Sequence, residues 1–241
     1  AFMGAATKIT AFGALLRVFY VAFGGMRWDW RPMFWVIAIL TMLIGSILAV
    51  TQTDIKRMLA FSSVAHAGFI LLGVIATSAN GLSSTLLYLF AYGFTTLGTF
   101  AIVSLVRDAS GEANHISQWA GLGKKSPVVA SIFGLFLLAL AGIPLTSGFT
   151  AKFAIFSAAI EGGATPLVIV AVIASAIAAF FYARVIVLMF FTEAPVDGPS
   201  VVVPSIFTKA AIGISVAITI LVGVAPQPLI DFVQHAGLFV R

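Results

Sequence analysis

Seven stretches of this chain are apolar for 18 residues or more, and that repetition fixes its environment before any motif is read. A helix rises about 1.5 Å per residue, so crossing a hydrocarbon core takes about 20 mostly apolar residues. The stretches run from about Ala1 to Phe23, Met33 to Val50, Met58 to Ala76, Leu82 to Val106, Val128 to Ile160, Pro166 to Phe191 and Ser205 to Val224. Composition points the same way: charged residues are 9% of the chain, where a soluble domain carries about 25%. These residues could not cover a water-facing surface. The sequence therefore predicts an all-α, polytopic membrane bundle of about seven spans and excludes a soluble enzyme, a nucleic-acid module and a disordered tail.

The connectors are short. Gly24 to Pro32 reads as a polar turn with Trp28 and Trp30 at the membrane interface, Thr51 to Arg57 as a charged connector, and Ser78 to Gly81 as a turn. Arg107 to Ser126 is the longest polar stretch, and Pro226 and Pro228 mark a short tail. Counting Lys and Arg in alternate loops gives the sidedness. One side holds Lys56, Arg57, Arg107, Lys124 and Lys125, with Lys209 just inside the last span; the other holds Arg27, Arg31 and Arg241. The first group is expected in the cytoplasm and the carboxy terminus on the periplasmic side. The net charge of +5 comes from 13 scattered basic residues, too few for a phosphate-tracking surface. The chain starts at Ala1 inside an apolar run and lacks a signal-peptide pattern, which suggests a piece of a longer protein.

The 33 residues from Val128 to Ile160 are too many for one straight span and contain Gly142, Pro144 and Gly148. Proline removes a backbone donor and clashes with the preceding turn, so a broken helix is predicted between about Leu140 and Phe149. Lys152 follows Pro144 by eight residues and should lie inside the membrane. An intramembrane lysine is costly and needs a reason. A desolvated lysine can take and release a proton, which arginine does not readily do. Beside a broken helix, with free carbonyls and room for water, this is the architecture of a proton relay; the alternative is a lysine permanently paired with a carboxylate of a neighbouring subunit. Lys8 is a second such lysine. Arg17 and Arg184 lie nearer span ends and are expected to snorkel to the headgroups.

Two polar faces accompany the lysines. Ser62, Ser63 and His66 share one helix face, and histidine titrates near neutral pH. Ser84, Tyr88, Tyr92, Thr95 and Thr99 form a hydroxyl stripe that either glues helices together or lines a wetted path. With no cysteine and with His66, His115 and His235 far apart, no metal site is expected. Phosphate and dinucleotide glycine motifs are absent, so redox and nucleotide chemistry belong elsewhere.

The run Thr51-Gln52-Thr53-Asp54-Ile55-Lys56-Arg57-Met58-Leu59-Ala60-Phe61-Ser62-Ser63-Val64-Ala65-His66-Ala67-Gly68-Phe69 resembles the signature of the antiporter-like subunits of respiratory complex I and their Mrp-type antiporter relatives. Leu140-Ala141-Gly142-Ile143-Pro144-Leu145-Thr146-Ser147-Gly148-Phe149-Thr150-Ala151-Lys152-Phe153 and Pro226-Gln227-Pro228-Leu229 look more narrowly like the subunit N branch, the bacterial counterpart of mitochondrial subunit 2. The resemblance implies a fourteen-helix subunit with two inverted five-helix repeats. Residues 1–24 would be the last helix of the first repeat, 32–193 the second repeat, and 205–241 a terminal helix and tail. It matches Lys8 to the family's central lysine and Lys152 to the lysine of the second broken helix. Faint internal symmetry agrees: Ala11-Phe12 before Arg17-Val18 resembles Ala179-Phe180 before Arg184-Val185, although aligning the arginines puts Ser175 opposite Lys8, so the lysine itself is not repeated.

The function so implied is a proton-translocating membrane subunit of a NADH:quinone oxidoreductase, with Lys8, His66 and Lys152 as relay groups and no catalytic chemistry of its own. NADH, FMN, iron–sulfur clusters and quinone would be held by other subunits. Its partners would be other complex I membrane subunits, neighbouring antiporter-like ones included, and lipids. Its place would be the bacterial cytoplasmic membrane. The alternatives are an Mrp-type sodium/proton antiporter subunit and a structural membrane scaffold.

Overall fold

The computed structural model describes residues 2–108, 111–194 and 200–236. Arg241 lies outside them. The chain enters as α1 (Phe2–Arg17), prolonged by a π-helical turn (Val18–Ala22), and after a 3-10 turn at Gly24–Met26 continues as α2 (Arg27–Thr51), α3 (Ile55–Ala76) and α4 (Ala79–Leu105). A surface excursion follows: strands β1 (Val106–Asp108) and β2 (Gly111–Glu112), a 3-10 turn at Ile116–Trp119 and the single turn α5 (Leu122–Lys125). Then come α6 (Pro127–Ala141), α7 (Ser147–Glu161), α8 (Thr165–Phe191), β3 (Ser200–Val201), α9 (Ile206–Val224) and α10 (Gln227–Ala236). Six helical segments are each long and apolar enough to span a membrane. The α6–α7 pair supplies the seventh crossing, as the apolar runs predict.

Local chemistry sets the helix starts. Asp54 accepts from the Arg57 amide at 2.9 Å, Ser78 from Gly81 at 3.0 Å and Ser205 from Thr208 at 3.2 Å, so each caps a helix by satisfying an orphan N–H. Helix α3 packs along α2 and against α4 and α7, while α4 also meets α1, α6 and α9. The two inner helices, α3 and α4, therefore carry the core. Close approach depends on small residues, since a Cβ on Gly45 would lie 2.6 Å from the Ala65 amide nitrogen and one on Gly68 2.9 Å from the Ala38 carbonyl oxygen.

Four sequence expectations change. Trp28 and Trp30 belong to α2 and not to a turn; Trp30 is buried between Phe19 and Phe34 and donates to the Phe23 carbonyl at 3.0 Å. The connector at 51–57 narrows to Gln52–Asp54, because the Asp54 cap lets Lys56 and Arg57 open α3. The tail after Pro226 is helical, the amphipathic α10. The bundle is all-α save for one small antiparallel sheet of order β2-β1-β3, which ties the Arg107 loop to the segment before α9.

Contacts reproduce the alternating sidedness. At one face Asp54 bridges to His115 and β1 pairs with β3; at the other Asn80 donates to Glu161 at 2.8 Å and Arg31 to the Gly162 carbonyl at 2.8 Å. Lys56, Arg57, Lys124 and Lys125 thus share one face, and Arg27 and Arg31 the other.

Candidate functional site

The break falls at residues 142–146. Gly142 takes a φ of +86°, and its amide and that of Ile143 turn back to the Leu138 carbonyl at 3.0 Å. A glycine in the left-handed region is the usual way a helix ends, and Pro144 two residues later cannot continue it. Gly148 lies beyond the break, in the first turn of α7. There a Cβ would overlap the Ala139 carbonyl oxygen, so this glycine lets the second half-helix press against the first.

That geometry builds the seat of Lys152. The residue is 5% exposed, and its Nζ donates to the Ala141 carbonyl at 2.8 Å, the Leu140 carbonyl at 3.2 Å and the Ser175 hydroxyl at 2.8 Å. The last carbonyls of α6 have no helical partner, and the lysine of α7 fills that role. Nζ also stands 5.0 Å from the centre of the Phe69 ring. An ammonium with three acceptors is satisfied; if it loses a proton, Ser175 can reverse and donate to Nζ.

Lys8 is half-buried on α1 and faces the same interior. Its Nζ donates to both the carbonyl and the hydroxyl of Ser63, the latter at 2.6 Å, and to the Tyr92 hydroxyl at 3.3 Å, 4.7 Å above that ring. His66 stands between the lysines. Its ring packs 4.8 Å from Tyr92 and 5.7 Å from Phe69, the aromatic side chains that Lys8 and Lys152 respectively overlie. The imidazole is bonded at both nitrogens, Nδ1 to the Tyr88 hydroxyl at 2.8 Å and Nε2 to that of Tyr182 at 3.4 Å, and Tyr182 continues to Ser62. A neutral imidazole has one donor and one acceptor, whereas a hydroxyl serves as either, so both tautomers fit. Among the described residues the ion pair is Lys56–Glu112 at the surface. Neither lysine has a described carboxylate within 4.0 Å.

Ser62, Ser63 and His66 therefore share a face and fan out to three helices. The hydroxyl stripe divides. Tyr88 and Tyr92 reach across to His66 and Lys8, while Ser84 and Thr99 bond carbonyls of their own helix at 3.1 and 2.6 Å. Thr95 bonds the Ala91 carbonyl at 2.8 Å and lies 3.4 Å from Ser147 and 3.5 Å from Thr219. Arg184 departs from the snorkelling expectation: its two Nη atoms donate to the Val50 and Gln52 carbonyls at 3.1 and 2.8 Å and close the end of α2, because exposed carbonyls lay within its reach. Arg17 is exposed. As members of the site, Ser175, Tyr182 and Phe69 escaped the sequence reading. A signal was there for the first two, since they are the polar side chains between Pro166 and Arg184 and lie seven residues apart, two turns on one face.

The sequence matches, over residues 1–178, the family described as "NADH:quinone oxidoreductase/Mrp antiporter, TM". Over its whole length it is 62% identical to a Rhodococcus opacus protein named NADH-quinone oxidoreductase subunit N, covering 45% of it. It is 63% identical, again over its whole length, to a Streptomyces griseus protein named NADH-quinone oxidoreductase subunit N 3, covering 43% of it. The chain thus spans somewhat under half the length of these relatives. Among solved structures, a chain of respiratory complex I from Thermus thermophilus with bound Aureothin superposes with a TM-score of 0.73 at 25% identity, over 83% of this chain and 45% of that one. A chain of the Mrp complex from a Dietzia species gives 0.83 at 24% identity, over 96% and 51%, a likeness of fold.

Proposed function

This chain belongs to the NADH:quinone oxidoreductase/Mrp antiporter membrane family, and on that footing we propose that it is the proton-relaying part of a subunit N of a bacterial NADH:quinone oxidoreductase. The observation that carries the reading is the placement of the buried His66 between Lys8 and Lys152, with hydroxyls at both imidazole nitrogens. A proton leaving Lys8 enters the imidazole at one nitrogen while another leaves from the opposite nitrogen, through the Tyr88 and Tyr182 hydroxyls bonded there, with water bridging the intervals between these hydroxyls and the two lysines. Charge on one lysine disfavours charge on the other across this low-dielectric gap, so protonation of the two is coupled. Quinone reduction acts on the relay from a distance by shifting that balance.

In this reading residues 1–24 close a first repeat, 32–193 form the second repeat with its broken helix, and 205–241 are the terminal helix and tail. NADH, FMN, iron–sulfur clusters and quinone sit in partner subunits, and this chain contributes no redox step. The Lys124 face lies in the cytoplasm and α10 at the periplasmic side of the cytoplasmic membrane. Replacing Lys152 by Met in the assembled complex, with proton pumping and quinone reduction both followed, tests the reading. Loss of pumping in a complex that still assembles is expected, and unchanged pumping overturns it.

A further inference from the structure

We propose that the cleft between the start of α2 and the α7–α8 turn binds the phosphate headgroup of a membrane phospholipid, with Arg31 as its anchor. The cleft measures about 570 Å³ and is lined by Trp28, Arg31, Pro32, Trp35, Gly162 and Gly163. The four α2 residues fall at spacings of three, one and three, which puts them on one helix face.

The charge in this cleft is unbalanced. Arg31 gives one bond, from Nη2 to the Gly162 carbonyl at 2.8 Å, and its Nε is enclosed without a partner. A guanidinium carries five N–H donors in a fork that matches phosphate. No acid lines the cleft. Glu161 accepts from Asn80 on α4, and Asp29 lies two residues from Arg31, on a different side of α2. A second guanidinium stands at the mouth, where Arg27 lies 5.5 Å from the Trp28 ring. Gly163, with φ +76° and open space where a Cβ would project, leaves the floor of the cleft uncovered.

The walls separate a lipid from a soluble anion. Trp28 is 72% exposed in the charged first turns of a helix long and apolar enough to span a membrane, and exposed indoles sit at headgroup level, apolar body inward and N–H outward. A phospholipid uses all of this, its phosphate on the guanidinium and its glycerol and upper acyl chain along the indoles. Free phosphate uses the guanidinium alone. Because Arg31 already holds the carbonyl that follows α7, a bound headgroup would be tied through one side chain to the end of the helix that carries Lys152.

The test uses the whole complex, reconstituted in phosphatidylcholine vesicles containing a photoactivatable phosphatidylglycerol, with adducts mapped by peptide mass spectrometry. Adducts within residues 27–35 are expected in the wild type. They should fall about tenfold or more in Arg31→Gln, the loss anticipated for removing a charge-assisted hydrogen bond to the phosphate. Trp28→Ala, which removes an exposed ring and leaves the core intact, should also lower them. Excess phosphatidylglycerol should compete, and glycerol phosphate in solution should not. Equal labelling of wild type and Arg31→Gln overturns the proposal, as does wild type left unlabelled because a neighbouring subunit covers the cleft. Competition by glycerol phosphate as strong as by the lipid overturns it too, in favour of a soluble anion. If Arg31→Gln fails to assemble, Trp28→Ala decides: labelling equal to wild type overturns the lipid site.

Discussion

The ammonium of Lys152 lies 2.8 Å from the carbonyl oxygen of Ala141, the last residue of α6. A side chain of one half-helix thus closes the end of the other, and the break and the lysine form a single structural device. A carbonyl at a helix end carries partial negative charge and has no partner within its own helix, and the lysine supplies one.

Arginine at position 152 keeps a positive charge but does not readily release a proton, and its planar fork does not match the Leu140, Ala141 and Ser175 acceptors. Lys152→Arg should lose at least about tenfold in pumping rate, the low end for removing a positioned proton carrier being larger still. Pumping at the wild-type rate would mean that a fixed charge suffices.

Tyr88→Phe removes the hydroxyl bonded to His66 Nδ1 and leaves the ring in place. The expected stability cost is about 1 kcal/mol, small enough for assembly, while transfer across the imidazole should slow. Tyr182→Phe should do the same from Nε2. Measuring pumping per quinone reduced in both variants checks this, and two wild-type ratios would remove His66 from the path.

Gly148→Ala would drive a methyl group into the Ala139 carbonyl. Overpacking of this kind costs about 1–3 kcal/mol, so the thermal unfolding temperature of the purified complex should drop. Gly13→Ala meets nothing within 4 Å and is the control. Equal behaviour of the two variants would argue against a close approach of α7 to α6.

Arg184→Met would leave the Val50 and Gln52 carbonyls without their charged donor. Hydrogen bonds to charged groups contribute about 1.5–3 kcal/mol, so amides at residues 52–55 should exchange faster in the variant. Arg184→Lys, with a point charge in place of a fork, should recover part of the protection.

At the surface, the Lys56 ammonium bonded to Glu112 holds that carboxyl below the usual carboxylate range. A carboxyl depressed in the folded state contributes stability above its unfolded pKa and loses it as pH falls through the folded value. Both groups are over a third exposed, so the contribution is small. Hydrogen exchange at residues 111–116 should accelerate modestly as pH drops below about 4, after correction for intrinsic rates, and Glu112→Gln should abolish that pH dependence.

The sequence by itself determined the number of crossings, the two faces of the bundle and the site of the break. Lipid admits few structures, so long apolar runs can be little else than spans; Gly142 and Pro144 end a helix through their own backbone chemistry. It also placed Lys8, His66 and Lys152 within membrane spans, because apolar neighbours on both sides carry a polar residue into the span with them. Which groups those residues face was decided by tertiary structure alone. Helical periodicity assigns Ser175 and Tyr182 to one face of α8 but is silent on the helix opposite, and the faint repeat that set Ser175 against Lys8 gave no hint that its hydroxyl would seat Lys152. The same holds for Arg184, whose exit to the headgroups was overridden by two carbonyls brought beside it from a helix more than 130 residues earlier. Partnership across a bundle depends on how helices rotate and pack, and that is settled by all of their contacts together.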